Sequence, residues 1–303
     1  MKIQLYLLLL LVAIVFLTST PLYAQDKKDK SGRKEIKQNK KDEDEDAEPV
    51  IHWQFGLDFG MYAASNTPAN YYNGSETNQN RLSYVMNNIT WYREIKLALK
   101  ADSSVDVNGI PSKMHYHIAL MGGLFIRYNV DKKNSICLQA NYTKLKAEDA
   151  ITLIIDKYKT YLTLPDLRNY PIQGIEYRVM LDLVYQRTFT LKSKINFFVQ
   201  AGPAFNYTKV LKSSVFIEDK EYSLINIYGN QIYSPGTNQQ VFTVIEGGFG
   251  YGLMLGGGAG FPLNENFTLE PGFYFHYNNV ALQGYDQFGL SFGLYLRILL
   301  GNL

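Results

Sequence analysis

Nine ionisable side chains share a placement that decides what chemistry they can do. Asp58, Arg127, Glu176, Arg178, Asp182, Glu246, Glu270, His276 and Arg297 each sit one step out of phase with a run of apolar residues. Between 175 and 185, for instance, Ile175, Tyr177, Val179, Leu181, Leu183 and Tyr185 alternate with Glu176, Arg178, Met180 and Asp182. A period of two puts alternate side chains on opposite faces of a strand, so the charges look one way and the greasy residues the other. An isolated charge taken out of water is very costly, and acids and bases sharing one face should therefore pair. The expected chemistry is a set of ion pairs filling an interior, with a narrow gated pore, in which the pairs rearrange, as the functional alternative. Glu270 and Arg297 should face each other, because a connection centred near 282–284 sets that register between the last two strands. Arg127 is the expected second partner.

Other reactive side chains support less. His115 and His117 stand two residues apart and are read on the polar face of their strand, a spacing able to hold a metal. Catalytic zinc takes three protein ligands, so no metal is expected, nor any cofactor. Ser103 and Ser104 near this pair could be assembled into a hydrolase site on paper, but no nucleophile motif surrounds them. The chain is expected not to be an enzyme. Its single cysteine, Cys137, excludes an intrachain disulfide.

Eight alternating segments must position these residues. They begin at Ile51 and near Met114, and the third carries Ile136, Leu138, Ala140 and Tyr142. The fourth spans Ile175 to Tyr185, and the rest start near Ile195, Ile245, Phe267 and Phe288. Short turns at 131–134, 191–194 and 262–266 follow the second, fourth and sixth, while the other connections are longer, at about 65–112, 146–172, 210–240 and 279–286. An even number of strands with alternating short turns and long loops is the asymmetry of an outer-membrane barrel. The expected fold is all-β, an eight-stranded antiparallel transmembrane β-barrel with long extracellular loops and both termini in the periplasm. A helical stripe of Leu82, Val85, Met86, Ile89 and Tyr92 predicts a short helix in loop 1, acting as an ordered cap over the mouth.

The polar faces separate this barrel from a soluble one. Gly248, Gly250, Gly252, Gly256, Gly289 and Gly293 would bare backbone to water on an outer surface, whereas in a narrow lumen they leave room for large neighbours. Trp53, Tyr128, Tyr185, Phe197 and Phe267 at one end of the greasy faces, and Tyr142, Tyr177, Tyr207, Tyr277 and Phe288 at the other, suit two membrane–water interfaces. A formal charge of +2 with no basic face gives no case for nucleic acid. The expected surroundings are outer-membrane lipid.

Residues 1–24 read as a secretory signal peptide: one lysine, the apolar run Leu5 to Leu17, then a small residue, Ala24, before Gln25. Residues 25–49 are almost wholly charged and are expected to be a disordered periplasmic tail, a solvated spacer in preference to a docking segment for cell wall or a periplasmic partner. The barrel domain is 50–303.

Over that domain the pattern resembles the small outer-membrane barrels of the OmpA and OmpX type, and the Tyr/Asn-rich style with Tyr23-Ala24-Gln25 resembles the barrel proteins of Bacteroidota. Two departures matter. The chain ends Gly301-Asn302-Leu303 without a terminal aromatic, and nothing is similar to a peptidoglycan-binding domain. The resemblance implies a Gram-negative outer-membrane location; the same barrel hosts many roles, and the leading expectation is a structural or surface-interaction role, with a surface or periplasmic protein partner. A narrow porin-like channel is the alternative and a lipid-acting enzyme the third reading.

Overall fold

The computed structural model describes residues 53–157, 165–190, 195–225, 247–264 and 267–300. The leader, the charged tail, the turn at 191–194 and Glu246 lie outside the described residues.

The strands are β1 (Trp53–Ala63), β2 (Val105–Gly109), β3 (His115–Tyr116), β4 (Ala119–Asn129), β5 (Asn134–Ile155), β6 (Asp166–Thr190), β7 (Asn196–Ile217), β8 (Lys220–Ser223), β9 (Gly247–Pro262), β10 (Phe267–Asn278) and β11 (Gly289–Leu300). Loop 1 adds a 3-10 turn (Thr67–Tyr72) and helices α1 (Leu82–Met86) and α2 (Ile89–Leu99). Eight strands, β1, β4, β5, β6, β7, β9, β10 and β11, are hydrogen-bonded in that order, each antiparallel to the next, and β11 pairs back onto β1. Closure removes the free sheet edges that would otherwise invite aggregation.

The barrel is greasy outside and polar inside. Leu57, Phe59, Leu124, Leu181, Phe205, Leu253, Phe273 and Leu294 are exposed, while Asp58, Gln139, Asn141, Asp182, Gln200 and Arg297 are buried. A water-soluble barrel would reverse that arrangement. A continuous apolar exterior of this extent is stable against lipid.

Along β5 the two faces exchange polarity. Up to Tyr142 the outward side chains are Ile136, Leu138 and Tyr142, and the buried ones are Ser135, Gln139 and Asn141. Beyond Thr143 the exposed ones are Lys144 and Lys146, and the buried ones Leu145, Ala147, Ile151 and Leu153. The switch marks where lipid ends: above it the outer face meets water and the inner face packs against loop 1. Rings step around the barrel at this height, Tyr142 to Tyr177 at 6.0 Å, Tyr177 to Tyr207 at 6.3 Å and Tyr207 to Phe249 at 5.0 Å between centroids.

This inversion corrects the expected loops. The described residues of 146–172 are largely strand, since β5 and β6 stay paired from Asn134 opposite Arg187 to Ile155 opposite Asp166. Much of 210–240 that is described is also strand, β7 running to Ile217 and turning through Glu218 (φ 55°) into β8. An alternation whose polarity reverses looks like the end of a membrane strand when only one sign of pattern is followed.

Loop 1 packs on the inner face of these strand extensions and makes a second core. Tyr71, Tyr72, Leu82, Val85, Ile95 and Leu99 meet Val105, Ile151, Leu153, Ile172, Val215 and Ile217 there. The stripe that predicted one helix is divided: Leu82 and Val85 are buried, but Ile89 is exposed and α2 buries Ile95 and Leu99 instead. Asn88 starts α2 by accepting the backbone N–H groups of Thr90 and Trp91, and Lys100 ends it in the left-handed region at φ 53°.

Candidate functional site

The lumen is built from the inward positions of all eight barrel strands, and among the described residues its acids, arginines and histidine form three groups. The first joins the closing seam. Asp58 and Arg297 are register partners, and Arg297 donates Nε to Oδ1 at 2.7 Å and Nη2 to Oδ2 at 3.0 Å. Arg127 donates Nη2 to both oxygens of Glu270, at 3.0 and 2.8 Å, and also reaches Gln54 and Gln186. Glu270 and Arg297 are opposite in register, with Nη1 to Oε2 at 3.5 Å. The expected hierarchy is thus reversed: Arg127 is the closer partner of Glu270, and Arg297 belongs chiefly to Asp58. Both arginines lean on Phe125, Arg297 with its guanidinium 3.4 Å from the ring centroid and Arg127 at 5.1 Å. Two acids and two bases balance within the group.

The second group lies under loop 1. Glu176 and Arg178, neighbours on the inward face of β6, pair at 2.6 Å and are wholly buried. Glu176 also accepts the hydroxyls of Tyr72, from the 3-10 turn, and of Tyr116 at 3.0 Å, whose ring lies 5.1 Å from the Arg178 guanidinium. The Tyr72 ring fits only because position 174 is glycine, where a Cβ would stand 2.1 Å from Cγ of Tyr72. The third group is Asp182 with His276, Oδ1 to Nε2 at 3.0 Å.

Between these groups the lumen is filled by large side chains. Tyr62, Met121, Met180, Met254, Tyr274 and Tyr295 are buried together. Tyr274 occupies the space over Gly293, and a Cβ on that glycine would lie 2.1 Å from the tyrosine's Cζ. Gln200 links the layer, accepting from Gln139 at 3.0 Å and donating to the Tyr295 hydroxyl at 3.3 Å. Among the described residues each buried arginine of the interior is paired with a buried carboxylate.

Tyr116 and Phe125 were not among the expected lumen residues, and the histidine pair was expected to face inward. A break at residues 117–118 explains the first and third. β3 aligns His115 with Glu148, whereas β4 aligns Met121 with Thr143, a register one residue different. A slip of one residue exchanges the faces. Tyr116 therefore turns in, and His115 and His117 turn out to exposed positions, where His117 lies 3.5 Å from Glu148. Among the described residues no three His, Cys, Asp or Glu side chains gather as a metal would require. Phe125 was hidden because its neighbours, Leu124 and Ile126, are equally apolar, and only the phase set by Arg127 assigns it inward.

Concave surface is found outside the barrel. A cleft of about 870 Å³ on the flank of α2 is lined by Ile89, Tyr92, Arg93, Lys96, Leu97 and Lys100, among others. Ile89 and Leu97 are 80% and 73% exposed there.

No family model and no curated protein matches the chain. Among solved structures it is similar to Neisserial surface protein A, at 9% identity and a TM-score of 0.36, over 84% of this chain and 98% of that one. It is similar also to the outer membrane protein OprG of Pseudomonas aeruginosa, at 11% identity and a TM-score of 0.36, over 83% and 94%. A third is Ail, the attachment invasion locus protein of Yersinia pestis, at 9% identity and a TM-score of 0.33, over 83% and 99%. Likenesses this distant carry no argument, and the fold stands on the closed pairing of the eight strands and the polarity of their two faces.

Proposed function

We propose that this chain is an outer-membrane surface protein of structural or interaction type, exported with residues 1–24 as its signal peptide, with both termini in the periplasm and no catalytic role. One observation carries the reading: buried polar groups fill the lumen, while exposed apolar side chains and basic ones stand together on the loop 1 helix. The buried ion pairs and the layer of buried tyrosines and methionines in the lumen support a plug in preference to a pore. The outer flank of α2 sets exposed Ile89 and Leu97 beside Arg93, Lys96 and Lys100, a surface suited to a partner with acidic and apolar groups. The short turn 130–133 lies at the other end of the barrel from that helix.

Surface labelling tests the orientation. Leu97→Cys should react with a membrane-impermeant maleimide on intact cells, Lys132→Cys only after the outer membrane is breached, and buried Cys137 should give little background. Labelling of position 132 with protection of position 97 would put the cap in the periplasm and end the surface reading.

A further inference from the structure

Just above the aromatic girdle the outer wall of β5, β6 and β7 turns from apolar to basic. Tyr142, Val179 and Tyr207 lie side by side across the three strands. The next outward row is Lys144, Tyr177 and Lys209, and the one above it Lys146, Ile175 and Lys212. The upper lysines are engaged, Lys146 by Glu148 and Lys212 by Glu221, each at 2.6 Å. Lys144 and Lys209 are exposed, and no carboxylate among the described residues lies within ion-pair distance of either. They flank Tyr177 two strand spacings apart, about 10 Å between backbones, and their flexible four-carbon stems allow both ammonium groups to converge over the ring.

Height selects the ligand. Interfacial tyrosines mark the headgroup level of a bilayer, and the strand surface immediately below these lysines is the lipid-facing Val179 and Leu181. A ligand fitting both surfaces has an anionic head and apolar chains. We propose that Lys144 and Lys209 hold the phosphate of an anionic lipid in the leaflet around the cap, its acyl chains lying along Val179 and Leu181. The inference rests on the chain spanning a membrane.

The full-length protein is inserted into phosphatidylcholine vesicles, then transferred to mixed micelles of phosphatidylcholine and phosphatidylglycerol, and retained lipid is counted by native mass spectrometry. The wild type should retain phosphatidylglycerol, and Lys144→Gln with Lys209→Gln should lower that retention about twenty-five-fold, at roughly a factor of five for each lysine near a lipid surface. Lys132→Gln with Lys133→Gln, removing the same charge at the opposite rim, should leave it unchanged, and Lys144→Arg with Lys209→Arg should preserve it. The slower gel migration on heating that reports an intact barrel keeps misfolding from counting as loss. Equal retention by the folded Gln double variant, or equal loss in the Lys132 and Lys133 variant, overturns the site. Inorganic phosphate that binds Lys144 and Lys209 as tightly as the lipid does would place the ligand in solution and overturn the lipid assignment. Failure of the wild type to insert into vesicles overturns the membrane reading itself, a result distinguishable from insertion without lipid retention.

Discussion

Arg297 on the last strand holds Asp58 on the first through two hydrogen bonds of 2.7 and 3.0 Å, so the seam that closes the barrel is also a buried two-point ion pair. The same guanidinium stands 3.5 Å from Glu270, which is itself gripped by Arg127. Removing one member of a buried pair strands the other charge, at about 3–5 kcal/mol, and removing both is milder. Asp58→Asn and Arg297→Met should each destabilise the barrel by that order, and the double variant by clearly less than their sum. The coupling of Asp58 with Arg297 should exceed that of Glu270 with Arg297. Urea unfolding in lipid vesicles measures the cycle, and equal couplings would refute the hierarchy read from these distances.

The outward and inward faces should answer differently to substitution. Leu181 and Leu253 are exposed on the lipid side, so arginine at either should cost about 2–4 kcal/mol near the bilayer midplane. Gln200→Ser, inside the lumen, should cost far less. Equal losses in the same unfolding assay would contradict the face assignment.

Tyr72 ties loop 1 to the lumen through Glu176, and Gly174 makes the room for its ring. Gly174→Val should expel the ring, an overpacking of about 1–3 kcal/mol, which loosens the cap more than the barrel. Trypsin should then cut faster at Arg93 and Lys96, while the heat-dependent gel shift of the barrel persists. Unchanged cleavage would show that loop 1 is held elsewhere.

Asp131 closes the turn between β4 and β5. The Asn134 side chain donates to its carboxylate at 2.7 Å, with the backbone N–H groups of Lys133 and Asn134 adding two more bonds, and together they hold its carboxyl below the usual range. A lowered folded value means the contribution is complete above the unfolded value, about 3.9, and is lost as pH falls through the folded one. Titration of Asp131 followed by NMR in micelles should have its midpoint below that of a turn peptide, and Asn134→Ala should move it upward. A midpoint at or above the peptide's would contradict the turn geometry.

Strand count, closure and, outside residues 115–117, the assignment of faces were legible because a closed barrel imposes one repeating rule, polar in and greasy out, on every strand. The Glu270 and Arg297 register followed from that rule and one connection. Which arginine each acid prefers was not legible, because Asp58 meets Arg297 only where the first strand closes on the last, and the hydrophobic pattern is silent about that contact. The extensions of β5, β6 and β7 were hidden for a related reason. Leu145, Ile151 and Leu153 keep the alternation, but with its polarity reversed by the change from lipid to water outside and by loop 1 within. Tyr116 escaped notice because the irregular step at residues 117–118 moves it by one register position, a shift too small to disturb the apolar count.

The claim on which the rest depends is that the lumen is packed shut. Single-channel recording of the full-length protein in planar bilayers tests it directly, with Gly174→Val and Arg297→Met recorded beside the wild type. A sealed interior predicts a wild type with no steady conductance and openings, where they occur, confined to the variants. A stable ohmic conductance from the wild type, unchanged by either substitution, would mean that ions pass where Asp58, Arg297 and the tyrosine layer are said to block them.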